Sequence, residues 1–325
     1  MADVSSKLKV SELDFDQIKT NLKNFLNDQN EFADYNFDGS AMSILLDLLA
    51  YNTHYNAFYL NMVVNEMFLD TASLRNSVVS RVKHLGYTPT SVRGAKAYID
   101  LTITPANTPS NIIIEKDTQF TSTVNGISYI FATTGSTTIN VNANGIYTSA
   151  NVELSQGIPL THRYTANTAD PDQRYILPNA NTDTSTLTVQ IQTSATNTNL
   201  YTYSVANDTT TINSTSNVYF LEEDTDSRYR VYFGDDIIGR KLVDGNIVVL
   251  KSLISDASAP NGAKTFTPVS TVGGYSNVTV STLTSASGGA DRDTISSIKF
   301  NAPKSYQAQN RAVTINDYIR ILQRD

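Results

Sequence analysis

Apolar side chains recur at helical spacing through the first ninety residues of the chain. The first stripe comprises Phe15, Ile18, Leu22, Phe25 and Leu26. A turn and cap sequence at Asp38-Gly39-Ser40 precedes a long second stripe, and a third covers residues 73–85. Gly86 and Pro89 follow as stop signals, because glycine accepts the left-handed conformation at a helix end and proline cannot continue a helix. The pattern predicts a helical N-terminal docking domain over residues 1–92.

The second stripe is too wide for one core face. It contains Ile44, Leu45, Leu48, Leu49, Tyr51, Tyr55, Phe58, Tyr59 and Met62. These positions cover well over half of the helix circumference, more than a helix needs to pack on a single core. One interpretation is the ordinary core of a three-helix bundle, and the other is a surface that faces a partner protein. On the second interpretation the candidate interface residues are Tyr51, Tyr55, Phe58, Tyr59 and Met62.

From about residue 93 the period of the apolar positions shortens to that of a β-strand. Thr, Ser and Asn dominate residues 118–218, where charges are sparse. Disordered chains also have such a composition, but the alternating Ile, Val, Tyr and Leu favour exposed antiparallel strands. The pattern predicts a β-rich body over residues 93–290, organised as one domain or as two.

Particular strands and turns stand out within this body. Ile112 to Ile114 predicts a buried strand, and residues 218–221 and 229–233 predict a strand pair. Asn-Gly dipeptides mark tight turns at 125–126, 144–145 and 261–262.

The C-terminal residues return to a helical pattern. Helical spacing covers residues 293–300, Pro303 is expected to interrupt it, and residues 313–322 begin a further amphipathic segment. The chain stops inside that segment without a cap, so we expect it to be part of a longer protein. Residues 291–325 are predicted to begin a C-terminal helical or α+β assembly region that is truncated here. The whole pattern predicts an α+β protein.

Composition excludes several classes of function. The net charge of −7, with 17% charged residues, argues against non-specific binding to nucleic acid, which needs a basic surface. The chain has 0 cysteines, so it has no disulfides, no cysteine-ligated zinc and no thiol nucleophile. The N-terminus lacks the pattern of a signal peptide, and no stretch reaches the roughly 18 apolar residues of a membrane span.

No constellation of catalytic or metal-binding residues is recognisable. The three histidines are His54, His84 and His162, and the first two lie in predicted helices with no metal-binding partner at i+3 or i+4. Residues 234–241 superficially resemble a phosphate-binding loop but lack its Lys-Ser/Thr ending, so a glycine-rich hairpin or bulge is expected. The acidic run at 222–226 lacks the spacing of a calcium loop and is expected to be solvated. We therefore predict a protein that is not an enzyme and has no cofactor, metal or small-molecule substrate.

Two blocks of sequence carry a resemblance to a known family. The first consists of Tyr35 to Ser40, Leu48 to Asn56, Asn65 to Ala72 and Leu85 to Pro89. It resembles the N-terminal region of the baseplate wedge protein of T-even-type contractile-tail phages, their gene product six. The second consists of Ser287 to Asp293, Asn301 to Pro303 and Arg311 to Tyr318. It is similar to the signature of the wider baseplate J-like family, as are Phe233 to Asp235, Gly239 and Asp244 to Asn246.

The resemblance implies a structural role in a virion. Proteins of this family line the inner baseplate around the tail tube, with paired copies in each wedge joined into a sixfold ring. They contact the other wedge subunits and help to carry a conformational change to the sheath. The implied partners are therefore wedge subunits and further copies of the chain, in the tail baseplate and, during assembly, in the host cytoplasm.

The alternative is a carbohydrate-binding β-rich module of a tail fibre or adhesin. It is suggested by the Thr-, Ser- and Asn-rich middle of the chain and by its 18 tyrosines.

Overall fold

A computed structural model of the chain describes residues 14–28, 40–142, 145–170, 173–206 and 211–308. Their contacts divide the chain into two units. The helical unit contains the described residues up to Tyr87 together with 295–308, and the β-rich unit contains Thr88–Thr294. The predicted α+β class is confirmed.

Four helices build the helical unit: α1 (Phe15–Asn27), α2 (Ala41–Glu66), α3 (Arg75–Lys83) and α4 (Ile295–Ala308). Side chains cap the first two, since the carboxylate of Asp14 accepts the backbone N–H of Asp16 and the hydroxyl of Ser40 accepts that of Ser43. Gly86 follows α3 with φ +68°, as the sequence predicts. The sequence thus predicted α1, α2 and α3 close to their observed positions.

The last helix packs on the third. Val78 and Val82 of α3 and Ile298 and Ala302 of α4 are all fully buried in one small apolar cluster. The sequence assigned residues 291–325 to a separate region, whereas α4 belongs to the helical unit. The prediction that Pro303 interrupts the helix is wrong, because α4 continues through it to Ala308. Packing against α3 offsets the one backbone hydrogen bond that the proline cannot donate.

The β-rich unit consists of strands joined by turns and loops. The strands are β1 (Lys96–Ile103), β2 (Asn111–Ile114), β3 (Gln119–Val124), β4 (Ile127–Thr133), β5 (Thr137–Asn140), β6 (Tyr147–Gln156), β7 (Ile158–Thr165), β8 (Tyr175–Leu177), β9 (Thr182–Gln192), β10 (Leu200–Val205), β11 (Val218–Glu223), β12 (Tyr229–Phe233), β13 (Ile247–Ile254), β14 (Thr267–Pro268) and β15 (Val278–Ser287). Within the described residues, the Thr-rich middle of the chain is therefore β structure, as predicted.

Two large sheets contain all of these strands except β2 and β5, which pair with each other. One has the order β14-β3-β4-β6-β1-β15, and the other has the order β7-β13-β9-β10-β11-β12-β8. Every described strand pair is antiparallel except β10 with β11. Each sheet has its own apolar cluster, one around Ile99 and Leu101 of β1 and one around Val189 and Leu250 of β9 and β13.

Of three local predictions in the β-rich unit, the Asn-Gly turn is confirmed, the buried strand is confirmed in part and the glycine-rich hairpin is wrong. Asn125 and Gly126 both have positive φ in the turn between β3 and β4, as an Asn-Gly hairpin requires. The buried strand predicted at Ile112 to Ile114 is half wrong, because β2 pairs only with β5 and leaves Ile113 exposed. Residues 234–241 do not form a hairpin, since β12 and β13, which they connect, are not neighbours.

Some predictions concern residues outside the described ranges. These are Asp38 and Gly39 of the turn before the second stripe, the first residue of the turn at 144–145, the amphipathic segment at 313–322 and the motif at 311–318.

Candidate partner-binding surface

Helix α2 is anchored on one side only. It has 26 residues and is about 39 Å long at 1.5 Å per residue. Its buried residues are Ser43, Leu46, Ala50 and Asn61, which share one side of the helix, and α1 packs against α2. An ion pair of 2.6 Å joins the Lys19 ammonium of α1 to the Asp47 carboxylate of α2 on the same side. The opposite side of α2 has no such packing among the described residues.

The five candidate interface residues all lie on the exposed side of α2. Their exposed fractions run from 41% for Tyr55 to 57% for Tyr59. The interpretation of these side chains as the core of a three-helix bundle therefore does not describe the structure. Their role as an interface stays a prediction.

The exposed side follows a heptad pattern that extends beyond the predicted residues. Ile44, Leu48, Tyr51, Tyr55, Phe58 and Met62 are spaced 4-3-4-3-4, and all six are exposed. At 100° per residue they fall within an arc of about 80°. We call these six residues the α2 seam. Ile44 and Leu48 were not among the candidate residues, and the regular alternation of three and four is the signal that identifies them.

Aromatic rings run along the seam and continue to Tyr59, which lies beside it. The ring centroids of Tyr51 and Tyr55 are 4.5 Å apart, and those of Tyr55 and Tyr59 are 6.3 Å apart. A hydrogen bond with Tyr55 and partial desolvation raise the pKa of Tyr51 above its ordinary value. The row of tyrosines offers apolar rings with polar tips.

Electrostatic attraction contributes little on this side of the helix. Between Asp47 and Glu66, α2 contains no Asp, Glu, Lys or Arg. Its amides are engaged locally, since the side chain of Asn56 donates to that of Asn52 one turn earlier. A partner for this side would therefore be held chiefly by burial of apolar area.

The C-terminal end of α2 is fixed by Glu66. Its carboxylate accepts hydrogen bonds from the backbone N–H groups of Ser73 and Leu74 and from the Ser73 hydroxyl. Burial alone would raise the pKa of Glu66, but these hydrogen bonds outweigh it and lower the pKa to about 2. Leu74 is the N-cap of α3 and has no side-chain cap of its own, so Glu66 supplies one from the preceding helix.

The other sequence candidates are structural where the chain is described. Within the acidic run, Glu222 accepts two hydrogen bonds from the Arg230 guanidinium and one from the Tyr232 hydroxyl. Burial, together with the Glu222 charge and hydrogen bond, raises the pKa of Tyr232 to about 12. Among the described residues no three His, Asp or Glu side chains form a group that could hold a metal ion. Nor does any described helix combine the length and apolar character needed to cross a membrane.

Comparison with known families identifies the helical region. Residues 14–87 match the family described as "Baseplate wedge protein gp6-like, helical domain". This range contains α1, α2 and α3 and therefore the whole α2 seam. Residues 14–87 thus belong to the gp6-like helical domain family, and the resemblance predicted from the sequence is confirmed.

A relative of known role extends the similarity along the chain. The chain is 30% identical over 332 residues to "Baseplate wedge protein gp6" of Enterobacteria phage T4, covering 94% of this chain and 48% of that protein. The chain thus spans about half the length of this relative. A solved structure, the cryo-EM structure of the anti-feeding prophage baseplate, aligns over 95% of this chain and 56% of its own at 11% identity. Its TM-score of 0.32 is too low to establish a shared fold.

Proposed function

We propose that this chain is a structural subunit of a phage baseplate wedge and acts in the virion. The observation that carries the proposal is the 30% identity to a baseplate wedge protein, which extends over 94% of this chain. The similarity includes the β-rich unit as well as the helices, so a shared helical module alone does not account for it. The role is assembly by packing, without catalysis.

Within this role, the α2 seam binds a neighbouring wedge subunit that presents an apolar helix. Apolar residues repeating with alternate spacings of three and four pack into a partner helix of the same kind, as in coiled coils. The seam lies in the region that matches the gp6-like family, and it is uncharged. Monomeric proteins rarely expose a continuous apolar surface of this extent.

The finer arrangement follows the family resemblance. Copies of the chain, together with other wedge subunits, form an inner sixfold ring around the tail tube and relay a conformational change to the sheath. A closed ring needs heterologous contacts related by rotation. Permanent assemblies of this kind bury about 2,000 Å² or more per interface. Assembly takes place in the host cytoplasm and involves neither nucleic acid nor a membrane.

The proposal is tested by placing charged side chains in the α2 seam and measuring whether the chain still assembles with the wedge subunits. Tyr55→Lys combined with Phe58→Lys should prevent co-purification with the wedge subunits of the same phage, because two ammonium groups would be buried. The matched control is Ile237→Lys, which changes an exposed isoleucine of the β-rich unit. Normal assembly by the seam variant would contradict the proposal.

The melting temperature of the isolated chain distinguishes side chains that bind a partner from side chains that pack within the chain. Alanine at Tyr55 and Tyr59 should leave it nearly unchanged, because these side chains are exposed in the chain. A large decrease would show that another segment of the same chain covers the seam.

A further inference from the structure

A polar cavity of about 270 Å³ lies between the two large sheets of the β-rich unit. Strands β1 and β6 line it from one sheet, and β7, β9 and β13 line it from the other. A single water occupies about 30 Å³ of liquid, so the cavity has room for a small molecule. Nothing in the proposed baseplate role requires such a space.

An interruption in the β9 ladder supplies part of the wall. Lys251 of β13 pairs with Thr188, but the next residue pair along the ladder is Leu253 with Asp183. The residues between Asp183 and Thr188 therefore leave the ladder as a bulge, and three of them, Ser185, Thr186 and Leu187, line the cavity. The carboxylate of Asp183 fixes the bulge by accepting the backbone N–H and the hydroxyl of Ser185.

The charges around the cavity do not balance. Three lysines and two carboxylates line it: Lys96, Lys116, Lys251, Asp117 and Glu153. Lys96 is paired with Glu153 at 3.0 Å. Lys116 donates to the Thr188 hydroxyl at 3.3 Å, and Lys251 lies opposite Thr188 in the ladder. Among the described residues neither of these two ammonium groups has a carboxylate partner.

A buried hydroxyl adds an unused donor. Ser155 lies opposite Lys96 in the β1–β6 ladder and is only 1% exposed. Its Oγ has no hydrogen-bond partner among the described residues, and the same holds for Ser252, which also lines the cavity. Most buried polar side chains in proteins are hydrogen-bonded, so the Ser155 hydroxyl is a hydrogen-bonding group that is left available to a molecule in the cavity.

We propose that this cavity is a binding site for a small oxyanion, of the class of phosphate or a phosphorylated sugar. The two lysines without carboxylate partners and the Ser155 hydroxyl are donors, which is the set that phosphate oxygens require. The Ser185 and Thr186 hydroxyls of the β9 bulge already donate to Asp183, so they meet the polyol part of such a ligand as hydrogen-bond acceptors. A neutral sugar is disfavoured, because none of the described residues lining the cavity is an aromatic on which it could stack.

Isothermal titration calorimetry of the full chain tests the proposal. Inorganic phosphate and glucose 6-phosphate, each added at constant ionic strength, should bind saturably, and glucose should not. Tighter binding of glucose 6-phosphate would identify the polyol part as a contributor, while equal binding would confine recognition to the oxyanion. Absence of saturable binding by both anions, or equally tight binding of glucose, would overturn the proposal.

Lysine variants show whether the binding is at this site. Lys251→Gln should weaken phosphate binding at least about tenfold, the usual effect of losing a charge-assisted contact. Lys116→Gln should weaken it similarly and serves as the second variant if Lys251→Gln does not fold. The control is Lys264→Gln, an exposed lysine outside the cavity. An equal loss of affinity in the control would overturn the assignment.

Serine variants distinguish a ligand contact from a general packing effect. Ser155→Ala should weaken phosphate binding severalfold without unfolding the chain. Ser122→Ala is the matched control, since its Oγ is also buried and without a partner but lies outside the cavity. Unchanged affinity in Ser155→Ala would remove this hydroxyl from the proposed site.

Discussion

Glu66 shows how one side chain sets the geometry next to the candidate surface. Its carboxylate replaces the N-cap that Leu74 cannot supply, so it fixes where α2 ends and how α3 begins. The sequence does not predict this role for Glu66, because a cap supplied from eight residues earlier has no local sequence pattern.

Glu66→Gln should destabilise the helical unit by about 1 kcal/mol, the usual effect of losing a cap. The pKa of this carboxyl falls from 4.5 to about 2 on folding. Its contribution is therefore fully present above pH 4.5 and is lost as the pH falls towards 2. Chemical denaturation of both proteins at pH 7 and pH 2.5 measures this. We expect the difference between them to be largest at pH 7, and a difference that persists undiminished at pH 2.5 would contradict the assignment.

At the scale of elements, residues 234–241 between β12 and β13 superficially resemble a phosphate-binding loop, but hydrogen bonds within the loop hold them as a turn. The backbone N–H of Asp236 donates to the carbonyl oxygen of Gly239, and the Asp235 carboxylate accepts the N–H groups of Ile237 and Ile238. These two hydrogen bonds lower the pKa of Asp235. Both aspartates thus serve the turn, and the glycines allow its two ends to approach.

Gly234→Ala should therefore lower stability by about 2 kcal/mol or more. A Cβ on Gly234 would lie 2.1 Å from the carbonyl oxygen of Gly239, and that backbone would have to move. The control is Gly135→Ala, where a Cβ meets nothing within 4 Å. Thermal unfolding of the two variants measures the difference, and equal melting temperatures would show that the close approach is not required.

At the scale of the whole molecule, the helical unit is assembled from distant parts of the chain. The cluster between α3 and α4 joins residues more than two hundred positions apart, and the Lys299 ammonium also donates to the carbonyl oxygen of Asp70. Deleting the N-terminal helices would leave Ile298 and Ala302 exposed. Point variants of the seam are therefore a cleaner test of partner binding than a deletion.

Ile298→Ala should destabilise the helical unit by about 2–5 kcal/mol, because it leaves a cavity in a small cluster. Tyr306→Ala on the same helix is the control, since Tyr306 is exposed. Far-ultraviolet circular dichroism during thermal unfolding should show an earlier loss of helical signal only in Ile298→Ala. Identical unfolding of the two variants would mean that the α3–α4 cluster contributes little.

The sequence by itself determined the features that depend on neighbouring residues. The positions of α1, α2 and α3, the end of α3 at Gly86 and the Asn125-Gly126 turn all follow from local periodicity and turn chemistry. The five candidate residues on α2 also came from periodicity, because an apolar band wider than one core face can be recognised in the sequence.

Tertiary structure alone decided which contacts those elements make. The side of α2 that stays exposed, the docking of α4 on α3 and the exposure of Ile113 depend on packing between distant segments. The cavity depends on it most, because it needs a bulge in β9, a register with β13 and a second sheet that supplies Lys96 and Ser155. Periodicity is a property of neighbouring residues, whereas these features arise from pairings whose free energy becomes available only when the whole chain folds.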